Sequence, residues 1–320
     1  MPNEAQSELP GFVQIGQAVQ SVPRPSRQQR KVIEAACDIM DRPDPGEDEK
    51  AFLTKYLVQV TLPHSDPGHA PAFRRTNGNI TLTIQPALDE KMRPLYPYGT
   101  MPRLLLYWLT REAIRQKSRR LELSGSINSF LKELGLNPAT GGGKRGDAHR
   151  LREHMQRLFR ARISLDATLQ DGTRTGSAWN DMQVAPRGVT WWDYKHPDQG
   201  SLFESWVELG EEFYSAILHD PIPVDMRALA VLKGSAMALD LYAWATYQTF
   251  LVTRKGQGRF VPWRGLMRQV GADYDDMRDF RRKAKGALQK IQHVFPGLRL
   301  EDASGGFHIL PGRPAVLPKF

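Results

Sequence analysis

Cysteine is almost absent. Cys37 stands alone in 320 residues, which excludes an internal disulfide framework and argues against a structural zinc site. No run of about 18 apolar residues exists to cross a bilayer. The polar start, MPNEAQSELP, has neither the basic n-region nor the apolar h-region of a secretory signal. A soluble, cytoplasmic chain is therefore expected. Catalytic signatures are missing too. In GGGKRG, residues 141–146, Pro138 stands where a P-loop needs its first glycine and Arg145 where it needs a hydroxyl. His149 and His154 do not form HExxH, and His64 and His69 are not a His-apolar-His nuclease pair. Neither Tyr194 nor Tyr242 has a carboxylate–histidine cluster to make it a nucleophile. Asp273, Asp275 and Asp276 read as first-turn helix acids rather than a magnesium site. No cofactor, metal or catalytic constellation is expected, so the chain does not read as an enzyme.

What is present is basic charge and ample apolar material. An apolar content of 40%, with seven Trp and thirteen Phe, supplies one large or two ordinary cores. The net charge of +9 and pI near 9.6 point to a polyanionic partner if the charge is clustered.

Residues 1–25 read as a disordered tail, followed by a helix in SRQQRKVIEAACDIMD with Val32, Ala36 and Ile39 on one face. Alternation of Tyr56, Val58, Val60 and Leu62, and of Ile80, Leu82 and Ile84, predicts two strands joined by a long loop, HSDPGHAPAFRRTNG. A buried helix is predicted over 101–117, with Thr100 as N-cap and Pro102 in its first turn. A short strand follows in RRLELSG. A short helix then runs from a Ser126 cap to Gly135, and a further helix covers DAHRLREHMQRLFRARI. ISLDATL and MQVAPRGVTWW are expected to pair across the DGTRTGSAWND loop. Adjacent Trp191 and Trp192 are expected to put one ring in the core. This order of helix, strand, helix, turn, helix and strand pair is that of a winged helix-turn-helix.

The order recurs. LLLYWLTREA resembles ALDLYAWATY, with Tyr107 on Tyr242. SFLKELG resembles RGLMRQVG, with Gly135 on Gly271. HMQRLF resembles KIQHVF, with Gln156 and Phe159 on Gln292 and Phe295, and ISLD resembles LRLED. The near-constant offset predicts an α+β chain of two tandem winged-helix domains, 26–219 and 220–320, joined near HDPIPVD.

The charge is clustered. Residues 141–163 carry Lys144, Arg145, Arg150, Arg152, Arg157, Arg160 and Arg162 against Asp147 and Glu153. At 100° per residue, Leu151, Met155 and Leu158 face inward, and His149, Arg150, Glu153, Gln156, Arg157 and Arg160 face outward. In DMRDFRRKAKGALQKIQHVF, Phe280, Ala284, Ala287, Ile291 and Val294 face inward. Arg278, Arg282, Lys285, Gln289 and His293 form the opposite stripe. For either helix alone a solvated charged face is the alternative, but two such stripes on the third helix of a repeated unit favour DNA.

In PYGTMPRLLLYWLTREAI, SINSFLKELGL, GGGKRGDAHRLREHMQRLFRARISL and HDPIPVDMRALAVLKGSAMALDLYAW the chain resembles the RepA-type replication initiators of bacterial plasmids. The resemblance covers roughly residues 95 to 295. It implies a sequence-specific protein that binds origin iterons in double-stranded DNA through two winged-helix domains. It also implies help in opening the origin, recruitment of the host initiator and replicative helicase, and a homodimer in equilibrium with monomer. Under this likeness Arg278, Arg282 and Lys285 are expected to read bases, and Lys144, Arg145, Arg150 and Arg157 to grip phosphates. A plasmid-borne transcriptional repressor, or a nicking or priming enzyme, is the alternative.

Overall fold

Ser26 starts the first helix with a capping box. Its hydroxyl accepts from Gln29 N, while the Gln29 side chain accepts from Ser26 N, and α1 (Arg27–Asp41) follows. The computed structural model describes residues 25–123, 125–140, 146–192, 196, 198–200, 204–270 and 274–317. The tail expected over 1–25 lies almost wholly outside the described residues.

β1 (Lys50–Thr54) runs straight into α2 (Lys55–Gln59), where alternation had predicted a strand. Thr54 is the reason: its side chain accepts from Leu57 N and caps one helical turn. Leu57 and Val58 are therefore buried side by side and Tyr56 is exposed, while Val60 and Leu62 are buried in the extended chain beyond. The predicted loop 64–78 also holds a strand, β2 (Phe73–Asn77), which turns at Gly78 (φ +61°) into β3 (Ile80–Gln85). The short pair β4 (Ala87–Leu88) and β5 (Pro94–Leu95) leads to α3 (Thr100–Gln116), whose N-cap is Gly99 rather than Thr100.

β6 (Arg120–Glu122) precedes α4 (Ile127–Glu133), which Ser126 caps as predicted. α4 ends in a Schellman turn: Leu136 N donates to Leu131 O, Gly135 N donates to Lys132 O, and Gly135 takes φ +68°. α5 (Asp147–Arg160) is the third helix. The supposed DGTRTGSAWND loop is then mostly strand. β7 (Arg162–Asp171) and β8 (Arg174–Gln183), ten residues each, form a hairpin, with Asp171 opposite Arg174. β9 (Arg187–Val189) and β10 (Trp206–Glu208) come next, followed by α6 (Glu211–His219), β11 (Pro221–Asp225) and α7 (Met226–Leu232). The chain continues through α8 (Ala236–Lys255), β12 (Arg259–Pro262), α9 (Trp263–Val270), α10 (Met277–Val294), β13 (Arg299–Ala303) and β14 (Gly306–Leu310). The architecture is α+β, and no described helix is long and apolar enough to cross a membrane.

Two units share one topology. In the first, α3, β6, α4 and α5 are completed by a sheet ordered β6-β10-β9. In the second, α8, β12, α9 and α10 are completed by β12-β14-β13. The partner of β13 in this scheme is β9, not β7 as the ISLD–LRLED likeness implied, because β7 pairs with β3 and β8 in a separate four-stranded sheet. The repeat carries side-chain detail. Trp108 Nε1 donates to Glu133 at 2.8 Å, and Trp244 Nε1 donates to Gln269 at 3.1 Å. Thr110 Oγ1 donates to Leu106 O and Thr246 Oγ1 to Tyr242 O, both at 2.9 Å. These matches set the offset at 136 along the first helix, so Tyr107 falls on Ala243 rather than Tyr242, and both tyrosines are buried.

The units are held together by buried polar contacts as well as by one continuous apolar core. Arg103 on α3 pairs with Asp240 on α8 (2.6 Å), and also donates to the carbonyls of Leu62, Pro63 and Gly99. His64 Nε2 lies 2.8 Å from the same carboxylate. Burial works to raise the pKa of Asp240, but the Arg103 charge and hydrogen bonds from His64 and Arg103 outweigh it and hold the carboxyl low. Lys233, after α7, donates to Gly135 O in the first unit. At the expected junction β11 pairs with β1 from near the N-terminus, its two prolines sitting in a two-stranded sheet. α1 packs on α7 and α10.

Candidate nucleic-acid interface

The third helix of each unit buries one face and shows the other. In α10, Asp276 caps the start by accepting from Arg278 N (2.8 Å), and Phe280, Ala284, Ala287, Leu288, Ile291 and Val294 are buried. The predicted outer stripe is on the surface. The Arg278 side chain is 94% exposed and the Arg282 side chain 72% exposed. Gln289 and His293 are exposed, and Lys285 is half-buried against Asp302 of β13 at 2.9 Å. Arg278 lies 3.4 Å from Asp276, and Arg282 is paired with Asp279 one turn back. Asp279 also holds Lys283 at 3.0 Å, and these two cations keep its carboxyl below the usual range. Exposed pairs of this kind are weak and exchange readily for phosphate. Arg281, exposed beside the stripe, lies over the Trp263 ring at 5.8 Å.

In α5, Leu151, His154, Met155, Leu158 and Phe159 are buried. Arg150, Gln156 and Arg160 are exposed, Arg150 being 3.1 Å from Asp147, and His149 is half-exposed, 3.4 Å from Glu153. Arg157 departs from the predicted outer face. Its side chain is only 16% exposed: it donates to Tyr96 O (3.4 Å), lies over the Tyr98 ring (5.2 Å) and is 3.8 Å from Asp66. The segment leading into α3 covers that flank of α5, which helical spacing alone does not reveal. Lys144 and Arg145 lie outside the described residues.

A groove of about 450 Å³ beside α5 gathers residues from distant parts of the chain. Arg152, Gln156 and Arg160 of α5 face Arg187 of β9 and Trp191 across it. Trp191 is 50% exposed, whereas Trp192 is partly buried and packs against the core on Phe130, with ring centroids 5.5 Å apart. Arg187, 3.4 Å from Glu208, was not found from sequence because a hairpin of two ten-residue strands separates its strand from α5. Polar and aromatic side chains of this kind can grip phosphates, read base edges or stack on exposed bases.

No curated protein matches the chain. Among solved structures, a selenomethionine crystal structure of domains 2 and 3 of RctB is similar, with a TM-score of 0.51 and 10% identity. The alignment covers 80% of this chain and 98% of that one. A second crystal structure of RctB domains 2–3 aligns with a TM-score of 0.44 and 9% identity, over 79% of this chain and 95% of that one. At such identity the first likeness is one of fold. The family model described as plasmid encoded RepA protein matches residues 96–264, from the segment before α3 into α9 and over half of the chain. The chain belongs to the family of plasmid-encoded RepA proteins.

Proposed function

We propose that this protein is a plasmid replication initiator that binds origin iterons through two tandem winged-helix domains, within residues 26–219 and 220–320. The observation that carries the reading is the repeated unit whose third helix, in the second copy, displays Arg278, Arg282, Gln289 and His293 along one solvent face. In a family of plasmid RepA proteins, that face is the natural reader of a major groove. α10 reads bases, and α5, with Arg150, Gln156 and Arg160, grips the neighbouring backbone, so one monomer spans successive faces of an iteron. Opening of adjacent AT-rich DNA draws on binding energy. The helicase work falls to the host initiator and replicative helicase, in the cytoplasm, and a homodimer represses the initiator's own promoter to set copy number. The protein itself is not an enzyme.

The test is footprinting on the parent plasmid. An array of protected direct repeats is expected, with no nicks or primers made on supercoiled origin DNA in magnesium. Protection confined to a promoter palindrome would make the protein a repressor alone.

A further inference from the structure

β2 belongs to the separate four-stranded sheet ordered β2-β3-β7-β8, and it packs on α9 of the second unit. The join is polar. The buried Arg75 donates from Nη1 to Thr61 Oγ1 (3.0 Å) and to the Val270 carbonyl at the C-terminal end of α9 (3.3 Å). Thr61 Oγ1 donates to that same carbonyl at 2.9 Å. A cation there meets the negative end of the helix dipole and satisfies a carbonyl that has no partner within the helix. Arg75 and Thr61 thereby fix α9 against β2.

That fixed junction forms a groove of about 660 Å³, lined by Arg74, Arg75 and Thr76 from β2, Arg264, Met267 and Arg268 from α9, and Met277. Arg74, Arg264 and Arg268 are exposed, the last two one helical turn apart. None of the three makes a hydrogen bond or ion pair with a described residue. On α10, by contrast, Arg278, Arg282 and Lys285 each have an aspartate. Of the nearby acids, Asp276 accepts from its own helix's backbone and Asp275 is exposed. Three guanidiniums brought together without a paired carboxylate among the described residues repel one another, and a polyanion relieves that repulsion. Met267 and Met277 give the groove a pliable apolar floor suited to deoxyribose. Met277 is also the first residue of α10, so the groove opens beside Arg278.

We infer that this groove holds the sugar–phosphate backbone of the duplex that α10 reads, with Arg74, Arg264 and Arg268 as its phosphate contacts. The inference rests on the proposed DNA-reading role of α10. It adds a backbone clamp with one wall from the second unit and one from the separate four-stranded sheet, so that β2 contributes to the grip of the second unit's reading helix.

The experiment compares full-length wild type, an Arg74→Ala/Arg264→Ala/Arg268→Ala variant and Arg282→Ala. Binding to an origin duplex and to an unrelated duplex is measured by fluorescence anisotropy between about 50 and 200 mM salt. The three arginines are exposed and unbonded to described residues, so an unchanged melting temperature is expected. The triple variant should lower the log–log salt slope by about 2 to 3 units on both duplexes, because each lost phosphate contact removes about 0.9. Its base preference should stay that of wild type. A triple variant with the wild-type slope, beside an Arg282→Ala protein that loses affinity for the origin, overturns the clamp and leaves the initiator reading standing. If wild type does not prefer the origin, the initiator reading falls, and the slope on unrelated DNA still decides whether the groove holds phosphate.

Discussion

α10 and α5 hold the same place in their units but begin differently. With Trp108 set on Trp244, α5 begins at Asp147, which corresponds to Lys283, whereas α10 already begins at Met277. The extra helix carries Arg278, Arg281 and Arg282, and its counterpart in the first unit is GGGKRG. Recognition helices contact base edges with their N-terminal residues. On the proposed function, the second unit has the exposed Arg278 and Arg282 where reading takes place, while the first has GGGKRG there and keeps its described cations farther along the helix. Arg157, turned inward onto Tyr98, leaves α5 one outward cation fewer than its spacing predicts. On the proposed function, the shared topology carries two jobs, set apart by MRDFRR at the start of α10 and GGGKRG before α5.

The comparison can be broken by separating the two units. Asp240→Ala leaves Arg103 buried without its carboxylate partner at the α3–α8 contact. Removing one member of a buried ion pair costs about 3 to 5 kcal/mol, read from urea unfolding. A loss below about 1 kcal/mol would mean that the apolar core alone docks the units. The division between reader and grip is tested next. Arg282→Ala should weaken origin binding by about 1 to 3 kcal/mol and relax preference at one base position. Arg160→Ala should weaken all sequences alike and lower the salt slope by about 0.9. If both variants keep the wild-type base preference, α10 is not the reader.

Much of this was legible because it depends on apolar spacing. Ser126 and Gly135 bracket α4, and every residue predicted to face inward on α5 and α10 is buried, with His154, Phe159 and Leu288 buried besides. β8 was not legible. Its residues from Arg174 to Trp179 are all exposed, so no alternation marks it, and it is a strand only because β7 supplies its hydrogen-bond partners. The Tyr56–Leu62 stretch failed for the opposite reason, since a genuine alternation was overridden by the Thr54 cap. The groove residues Arg74, Arg187, Arg264 and Arg268 form no cluster along the chain, and only the sheet pairings and the docking of β2 on α9 bring them to their sites.

The smallest expected effect comes from a place where the buried faces of the two helices disagree. Leu151, Met155, Leu158 and Phe159 correspond to Ala287, Ile291, Val294 and Phe295, all buried, but His154 corresponds to the exposed Lys290. His154 packs edge-on to Tyr98 at 5.3 Å, and its Nδ1 has no hydrogen-bond partner among the described residues. Desolvation, helped by the charges of Arg157 and Arg150, pushes its pKa from 6.5 down to about 4. The unfolded chain then binds the extra proton between about pH 6.5 and 4. The contribution of a neutral His154 is thus present above about pH 6.5 and is lost as pH falls toward 4. Between pH 7 and 5 this amounts to roughly 1 to 2 kcal/mol of unfolding free energy. His64, whose pKa is lowered mainly by desolvation, acts in the same direction at the α3–α8 contact and would persist in a His154 variant. His154→Leu should remove only its own share, shrinking the difference between urea titrations at the two pH values. An undiminished difference would place the acid sensitivity at the contact between the units instead of inside the first.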